Sequence, residues 1–340
     1  MQTLTIRKPD DWHVHLRQDE MLEPMVRASA GVFKRVRVMP NTNPAILDSA
    51  DALVYQQRIE SVGLPGFEPM MTIKLVPETT PRQIEGAYKH GIRAAKLYPD
   101  GVTTGSAGGV RDFKALAPVF ATMEEVGMTL CLHGEDPGKD VFCLDREQVF
   151  LQSTLPWILW EFSGLKVVME HLSTAAAVNE VRYGGHENLA ATITVHHLMT
   201  TLDDVVGDKL MPHHFCKPLP KRPQDRARLL QAVTEPGQTK FFLGTDSAPH
   251  QRGQKECSCG AAGVFTAPWA LPLLAGIFER ENALDCLERF TSVNGALFHK
   301  LPLNEETITL VREPQVIPDS YEGVASFMAG QQIEWKIEER

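Results

Sequence analysis

The stretch richest in chemical groups is Asp11-Trp12-His13-Val14-His15-Leu16-Arg17, close to the start of the chain. Trp12, Val14 and Leu16 alternate with His13 and His15, which predicts a strand carrying both imidazoles on one face. Two neutral imidazoles one pleat apart can hold a metal ion, or they can be ordinary residues near a strand end. Arg17 continues the same face with a fixed positive fork. Lys96, His133, His171 and Asp246 recur downstream, each at or near the end of an apolar run. Four imidazoles and a carboxylate suit zinc or another borderline divalent ion. Six groups are too many for one tetrahedral ion, but they suit two ions that share bridging ligands. Lysine is the odd member, because an ammonium cannot coordinate a cation. A neutral amine can instead take up carbon dioxide, giving a carbamate whose two oxygens can bridge two metals. Burial beside cations favours such a neutral amine. Taken alone, Lys96 reads as a rim lysine with a buried stem; beside four strand-end histidines, the carbamate is the better reading.

These groups need a scaffold that brings distant strand ends together. Strand-like runs are the opening run to Leu16, then 35–39, 70–76, 94–98, 128–132, 166–169, 190–195 and 241–243, with helical stretches between them. The pattern predicts helices around 21–30, over 49–62 with Asp48 or Ser49 as N-cap, and over 81–90 with Gly91 closing the turn. Eight near-continuous apolar strands separated by helices suit a parallel sheet covered on both faces. A doubly wound open sheet would show the same alternation, but it would spread His, Lys, His, His and Asp along a line. A closed TIM (β/α)8 barrel gathers them at one mouth. The expectation is therefore one α/β barrel domain over 1–340, with an irregular extension from about 301 to 340 packed on its outside. The loop 99–109, with four glycines and the hydroxyls of Thr103 and Thr104, reads as a mobile lid. His196 and His197 have no clear role once the six ligands are assigned, one of them being a candidate to orient a ligand or buttress the site; His213 and His214 are expected in a loop, and His299 at the surface or a helix end.

Bulk properties narrow the partners. Apolar residues make up 43% and charged residues 23% of the 340, enough for a sizeable core. A net charge of −9 argues against nucleic acid or an anionic membrane as a partner, but not against an anionic small substrate. The opening residues show no secretion signal, and the longest apolar run, 264–278, is interrupted by Pro268 and Pro272. Six cysteines without a C-x-x-C pair predict free thiols in a reducing cytoplasm, with Cys257 and Cys259 only a weak metal hint.

In order along the chain, Asp11 to Arg17, Met39-Pro40-Asn41, Ala94 to Pro99, His133-Gly134-Glu135 and Glu170 to Thr174 form a recognisable series. It continues through Ala190 to Thr194, Gly244 to His250, Lys255-Glu256 with Cys259-Gly260, and Ser292 to Gly295. This ordered set resembles the amidohydrolase superfamily and, within it, the dihydroorotase family of the shorter, single-domain bacterial type. The resemblance implies two zinc ions per subunit. His13, His15 and Asp246 would hold one, His133 and His171 the other, and Lys96, as N6-carboxylysine, would bridge them. It implies that Arg17, Asn41 and His250 bind a substrate carboxylate, with His133 and backbone groups near Lys217 and Ala262 on the ring. The loop carrying Thr103 and Thr104 would close over the substrate. Lys217 departs from the apolar residue more usual there, which touches only its side chain's role.

The implied activity is the reversible cyclisation of N-carbamoyl-L-aspartate to L-dihydroorotate with loss of water, in de novo pyrimidine (UMP) biosynthesis. A metal-bridging hydroxide would be the nucleophile and Asp246 the general acid and base. A homodimer is implied as well. The competing readings are another cyclic amidase of the superfamily, of hydantoinase type, and a non-catalytic scaffold. The carboxylate-binding cluster argues against the first, and the complete set of six ligand positions against the second.

Overall fold

The computed structural model describes residues 2–103, 106 and 108–338. Strand β1 (Thr3–Arg7) lies outside the barrel. The barrel strands follow as β2 (Asp10–Val14), β3 (Arg35–Val38), β4 (Glu68–Leu75), β5 (Ala94–Leu97), β6 (Thr129–His133), β7 (Val167–Glu170), β8 (Leu189–Ile193) and β9 (Phe241–Leu243). They form one eight-stranded sheet in sequence order, every neighbouring pair parallel. Seven of the eight are buried at every residue, and β4 is buried over its last five with only Glu68 exposed, as strands covered on both faces must be.

The ends of the sheet meet through β2 and the residues after β9. Val14 and Ser247 form a parallel bridge, the Asp246 amide donates to the His13 carbonyl at 2.9 Å, and the His15 amide donates to Ser247 at 3.0 Å. Asp11 reinforces the seam by accepting from the Thr245 hydroxyl at 2.6 Å and from the amides of Thr245 and His13 at 2.8 and 3.1 Å. Gly244 permits this closeness, because a Cβ there would stand 2.8 Å from Thr192 Cβ and 3.0 Å from His13 Cβ. The sheet is a closed (β/α)8 barrel.

Helices follow the sequence pattern closely where their caps are strong. Asp48 caps Ser49–Glu60, and Thr80 with Gln83 forms a capping box for Pro81–Lys89. The apolar run at 264–278 becomes the helix Ala270–Arg280, preceded by a short turn at Ala267–Trp269. The helices Arg146–Ser153 and Leu155–Glu161, joined at Thr154, have no counterpart among the expected elements.

Two expectations need correction. The opening run is two strands: β1 pairs antiparallel with β10 (Thr307–Val311), and only β2 enters the barrel. Nor does β2 alternate regularly. Its pairing with β3 shifts between Asp11 and Val14, so an extra residue is accommodated there. Trp12 consequently does not face away from the histidines. It packs with Ala94, Cys131, Val168, Ala190 and Phe242, each from a different strand, forming an apolar floor beneath the site. His299 ends the helix Asn294–Phe298 and stacks on Trp12 with ring centres 4.4 Å apart. The chain beyond Thr307 adds short strands, and Trp335 within it is fully buried.

Candidate metal centre and substrate pocket

At the mouth of the barrel, three potential ligand atoms converge from two strand ends. His13 Nε2 and His15 Nε2 lie 3.3 Å apart, and Asp246 Oδ1 lies 3.2 and 3.0 Å from them respectively. All three residues are buried. Two imidazole nitrogens and a carboxylate oxygen at this spacing cannot satisfy one another fully by hydrogen bonding, since each imidazole nitrogen either donates or accepts. They do suit a divalent cation bound by nitrogen and oxygen.

Behind His13 stands Glu170, to which sequence periodicity alone assigns no role. Its Oε1 is 3.2 Å from His13 Nδ1, leaving Nε2 for the mouth, and its other oxygen pairs with Lys96 Nζ. A carboxylate on the far nitrogen of a ligating histidine fixes the ring and its tautomer. In the barrel, Val168 and Glu170 share a face of β7, and Val168 lies in the floor. His171 therefore has the wrong parity for the lumen on a regular strand. Its backbone is left-handed, with φ 47°, and its amide donates to Thr192 Oγ1 at 2.8 Å. Asp246 and Arg17 share this uncommon conformation at φ 46° and 60°. Such strained positions cluster where a site over-determines the backbone.

The ring of His171 stands 5.1 Å from that of His13 and 4.6 Å from that of His133, and its Nδ1 is buried without a hydrogen-bond partner. His133 Nε2 bonds Glu135 Oε2 at 2.8 Å. Lys96 is fully buried beneath the mouth with its nitrogen 4.8 Å from the Tyr98 ring centre. The six expected ligands thus surround one small volume. His13, His15 and Asp246 form one ligating group and His13, Glu170 and His171 a second; His133 and Lys96 adjoin them.

Electrostatics favour the metal-binding, deprotonated form at every histidine and carboxylate of the set except His13. Burial opposes ionisation of Asp246 and Glu170, yet His13 with His15, and His13 with Lys96, outweigh it and hold both carboxyls low, Glu170 at about 2. Burial lowers His15 to about 4 and drives His171 well below the ordinary imidazole range. His133 is lowered for the same reason. Only His13 moves up, to about 9, because Glu170 and Asp246 overcome its burial. Ionised carboxylates and neutral imidazoles are the forms that bind metal.

A narrow pocket opens above these groups. Arg17, Asn41, Thr103, Lys217 and Ala262 line it together with His13, His15, His133, His171 and Asp246. Thr104 lies outside the described residues. Arg17 is anchored by its own Nε, which donates to the Pro249 carbonyl at 2.9 Å, and by Tyr55, whose hydroxyl donates to the Arg17 carbonyl. His250 Nε2 is 3.1 Å from Arg17 Nη2 and 3.1 Å from the Ala262 carbonyl. Tyr98 also lines the pocket, and its hydroxyl is buried without a hydrogen-bond partner.

His196 and His197 lie on the short helix Val195–Met199, capped by Thr194. His197 Nε2 bonds the Pro218 carbonyl at 3.0 Å, bracing the segment that carries Lys217. Both ring nitrogens of buried His196 lack hydrogen-bond partners. His196 and His197 lie near Cys216, while His213 bonds Glu256 well away from the pocket. All six cysteines are free thiols, and no helix among the described residues is long and apolar enough to cross a membrane.

No family model matches the chain. A curated protein of Erythrobacter litoralis named dihydroorotase is 44% identical over 343 residues, covering 99% of both chains. Among solved structures, a dihydroorotase from Campylobacter jejuni is 36% identical with a TM-score of 0.90, covering 99% of this chain and 98% of its own. A dihydroorotase from Saccharomyces cerevisiae, solved with 5-fluoroorotic acid, is 32% identical with a TM-score of 0.92 and 99% coverage of both chains.

Proposed function

The chain belongs to the dihydroorotase family of the amidohydrolase superfamily, hydrolases acting on a cyclic amide, and from that premise we propose how its residues divide the work. The reaction is the reversible cyclisation of N-carbamoyl-L-aspartate to L-dihydroorotate and water, a step of de novo pyrimidine synthesis in the cytoplasm, carried out by a homodimer. His13, His15 and Asp246 would hold one zinc ion and His133 and His171 a second, with Lys96, once carboxylated, as the ligand they would share. Two such ions supply Lewis-acid polarisation of the amide carbonyl and a nucleophile drawn from water near neutral pH. The observation that carries the reading is the meeting of His13 Nε2, His15 Nε2 and Asp246 Oδ1 within 3.3 Å at the foot of a pocket that Arg17 also lines.

Asp246 is the proton carrier. Its carboxylate is held ionised, so in ring opening it accepts the proton of the attacking water and passes it to the leaving ring nitrogen. In ring closure the same oxygen returns that proton to the departing oxygen. Glu170 keeps His13 turned towards the mouth throughout. Arg17 already spends Nε on Pro249 and part of Nη2 on His250, which leaves Nη1 and the second Nη2 hydrogen to take the substrate carboxylate beside His250 and Asn41. That contact fixes which amide faces Asp246. The loop with Thr103 and Thr104 then covers the substrate and excludes water.

The test uses two ring amides, one with a free carboxylate and one without. Dihydroorotate is opened, with loss of its ultraviolet absorbance, and dihydrouracil is opened at least roughly a hundredfold less efficiently, the scale of one lost charge-assisted contact. Equal rates on both would mean that the Arg17 cluster does not select the substrate, and a hydantoinase-like amidase would replace this reading.

A further inference from the structure

Lys255 is buried, although it carries a cation and has no carboxylate within ion-pair distance among the described residues. Its ammonium instead donates to three backbone carbonyls: Phe215 at 2.9 Å, Ala261 at 2.8 Å and Gly263 at 2.6 Å. Three N–H groups thus meet three acceptors. Burial lowers its pKa to about 8, so it is still the ammonium at neutral pH.

The three carbonyls belong to two separate segments of chain, and both reach the pocket. Phe215 lies two residues before Lys217, and Ala261 and Gly263 flank Ala262; Lys217, Ala262 and Gly263 all line the cavity. The segments also touch directly, since the Gly263 amide donates to Phe215 O at 2.9 Å. Peptide planarity extends the effect. In a trans peptide the N–H points opposite to the preceding C=O, so holding the Ala261 carbonyl on Lys255 turns the Ala262 N–H away from the ammonium. Holding the Gly263 carbonyl fixes the peptide beyond it. Gly263 is needed for the fit: its φ is 142°, and a Cβ there would stand 2.7 Å from Ala248 O and 3.0 Å from His250 Nε2.

We propose that Lys255 is a positioning residue for substrate recognition, clamping the segments around Phe215 and Ala262 into a single backbone surface for the substrate ring. This rests on the substrate reading above, in which backbone groups near Lys217 and Ala262 contact the ring. Lys255 does not line the pocket, and its three hydrogen bonds go to backbone carbonyls and to none of the proposed metal ligands. Its loss therefore weakens binding of ground state and transition state alike, which raises KM and leaves kcat in place.

The experiment is steady-state ring opening of dihydroorotate by metal-loaded wild type and Lys255→Met, with metal content measured on both. The expected result is a KM raised roughly tenfold, the value of one misplaced hydrogen bond of ordinary strength, with kcat within about twofold and metal content unchanged. An unchanged KM, or a fall confined to kcat, overturns the proposal. Hydrogen exchange on the wild-type protein gives a second readout that needs neither the variant nor activity. The amides of 215–217 and 261–264 are expected to exchange as one cooperative unit, slower than the short, exposed helical turn at 252–254 beside them. Independent exchange of the two segments overturns the clamp even if ring opening is confirmed, whereas absent ring opening with cooperative exchange overturns the substrate reading alone.

Discussion

At the scale of single residues, Lys96 is the most exacting test of the chemistry. It lies fully buried between Glu170 and the Tyr98 ring, and a two-ion centre needs an anion where lysine has a nitrogen. Lys96→Ala should abolish ring opening, and small carboxylic acids added to the variant should restore part of it by occupying the vacated bridge. Full activity in the variant, measured by ultraviolet absorbance, would rule out the carbamate. Most residues at this scale were legible from type and position, since His13, His15, Lys96, His133 and His171 end apolar runs. Glu170 was not, because a lone carboxylate next to a histidine carries no distinctive spacing. The left-handed turns at Arg17, His171 and Asp246 were hidden too: none is a glycine, so nothing in the sequence marks φ above zero.

At the scale of elements, the eight strand positions followed from apolar runs stopped by proline, glycine or a polar end. Periodicity failed on β2, where the shift between Asp11 and Val14 breaks the alternation from which the strand was inferred. It takes the pairing with β3 to reveal such a bulge, and pairing is a tertiary fact. The same strand pair carries a buried ionic link. Arg35 donates to both oxygens of Asp10, Nε at 2.9 Å and Nη2 at 2.7 Å, and Asn304 Nδ2 adds a third bond at 2.8 Å. Burial raises the pKa of Asp10 even against these partners. Arg35→Met would leave that carboxylate buried and without its cation, so urea unfolding should report a loss of about 3–5 kcal/mol, the usual cost of removing one member of a buried pair. A loss below about 1 kcal/mol, the range of an exposed ion pair, would mean that solvent reaches Asp10.

At the scale of the whole molecule, the chain termini close on each other. Thr3–Arg7 pairs with Thr307–Val311 outside the barrel, and Trp335 buries its ring and donates through Nε1 to Glu279 at 3.1 Å. The extension reads as irregular in sequence, and its strand partner was hidden because the pairing spans nearly the full chain. The barrel brings the six ligand groups from five strand ends to one mouth, and the proposed chemistry depends on what those groups hold. The most direct measurement is metal content and dihydroorotate ring opening on one purified sample, before and after chelation and after zinc is restored. The prediction is two equivalents of zinc per chain in the active protein, loss of activity with the metal, and its return on reloading. Undiminished ring opening by metal-free protein would contradict it.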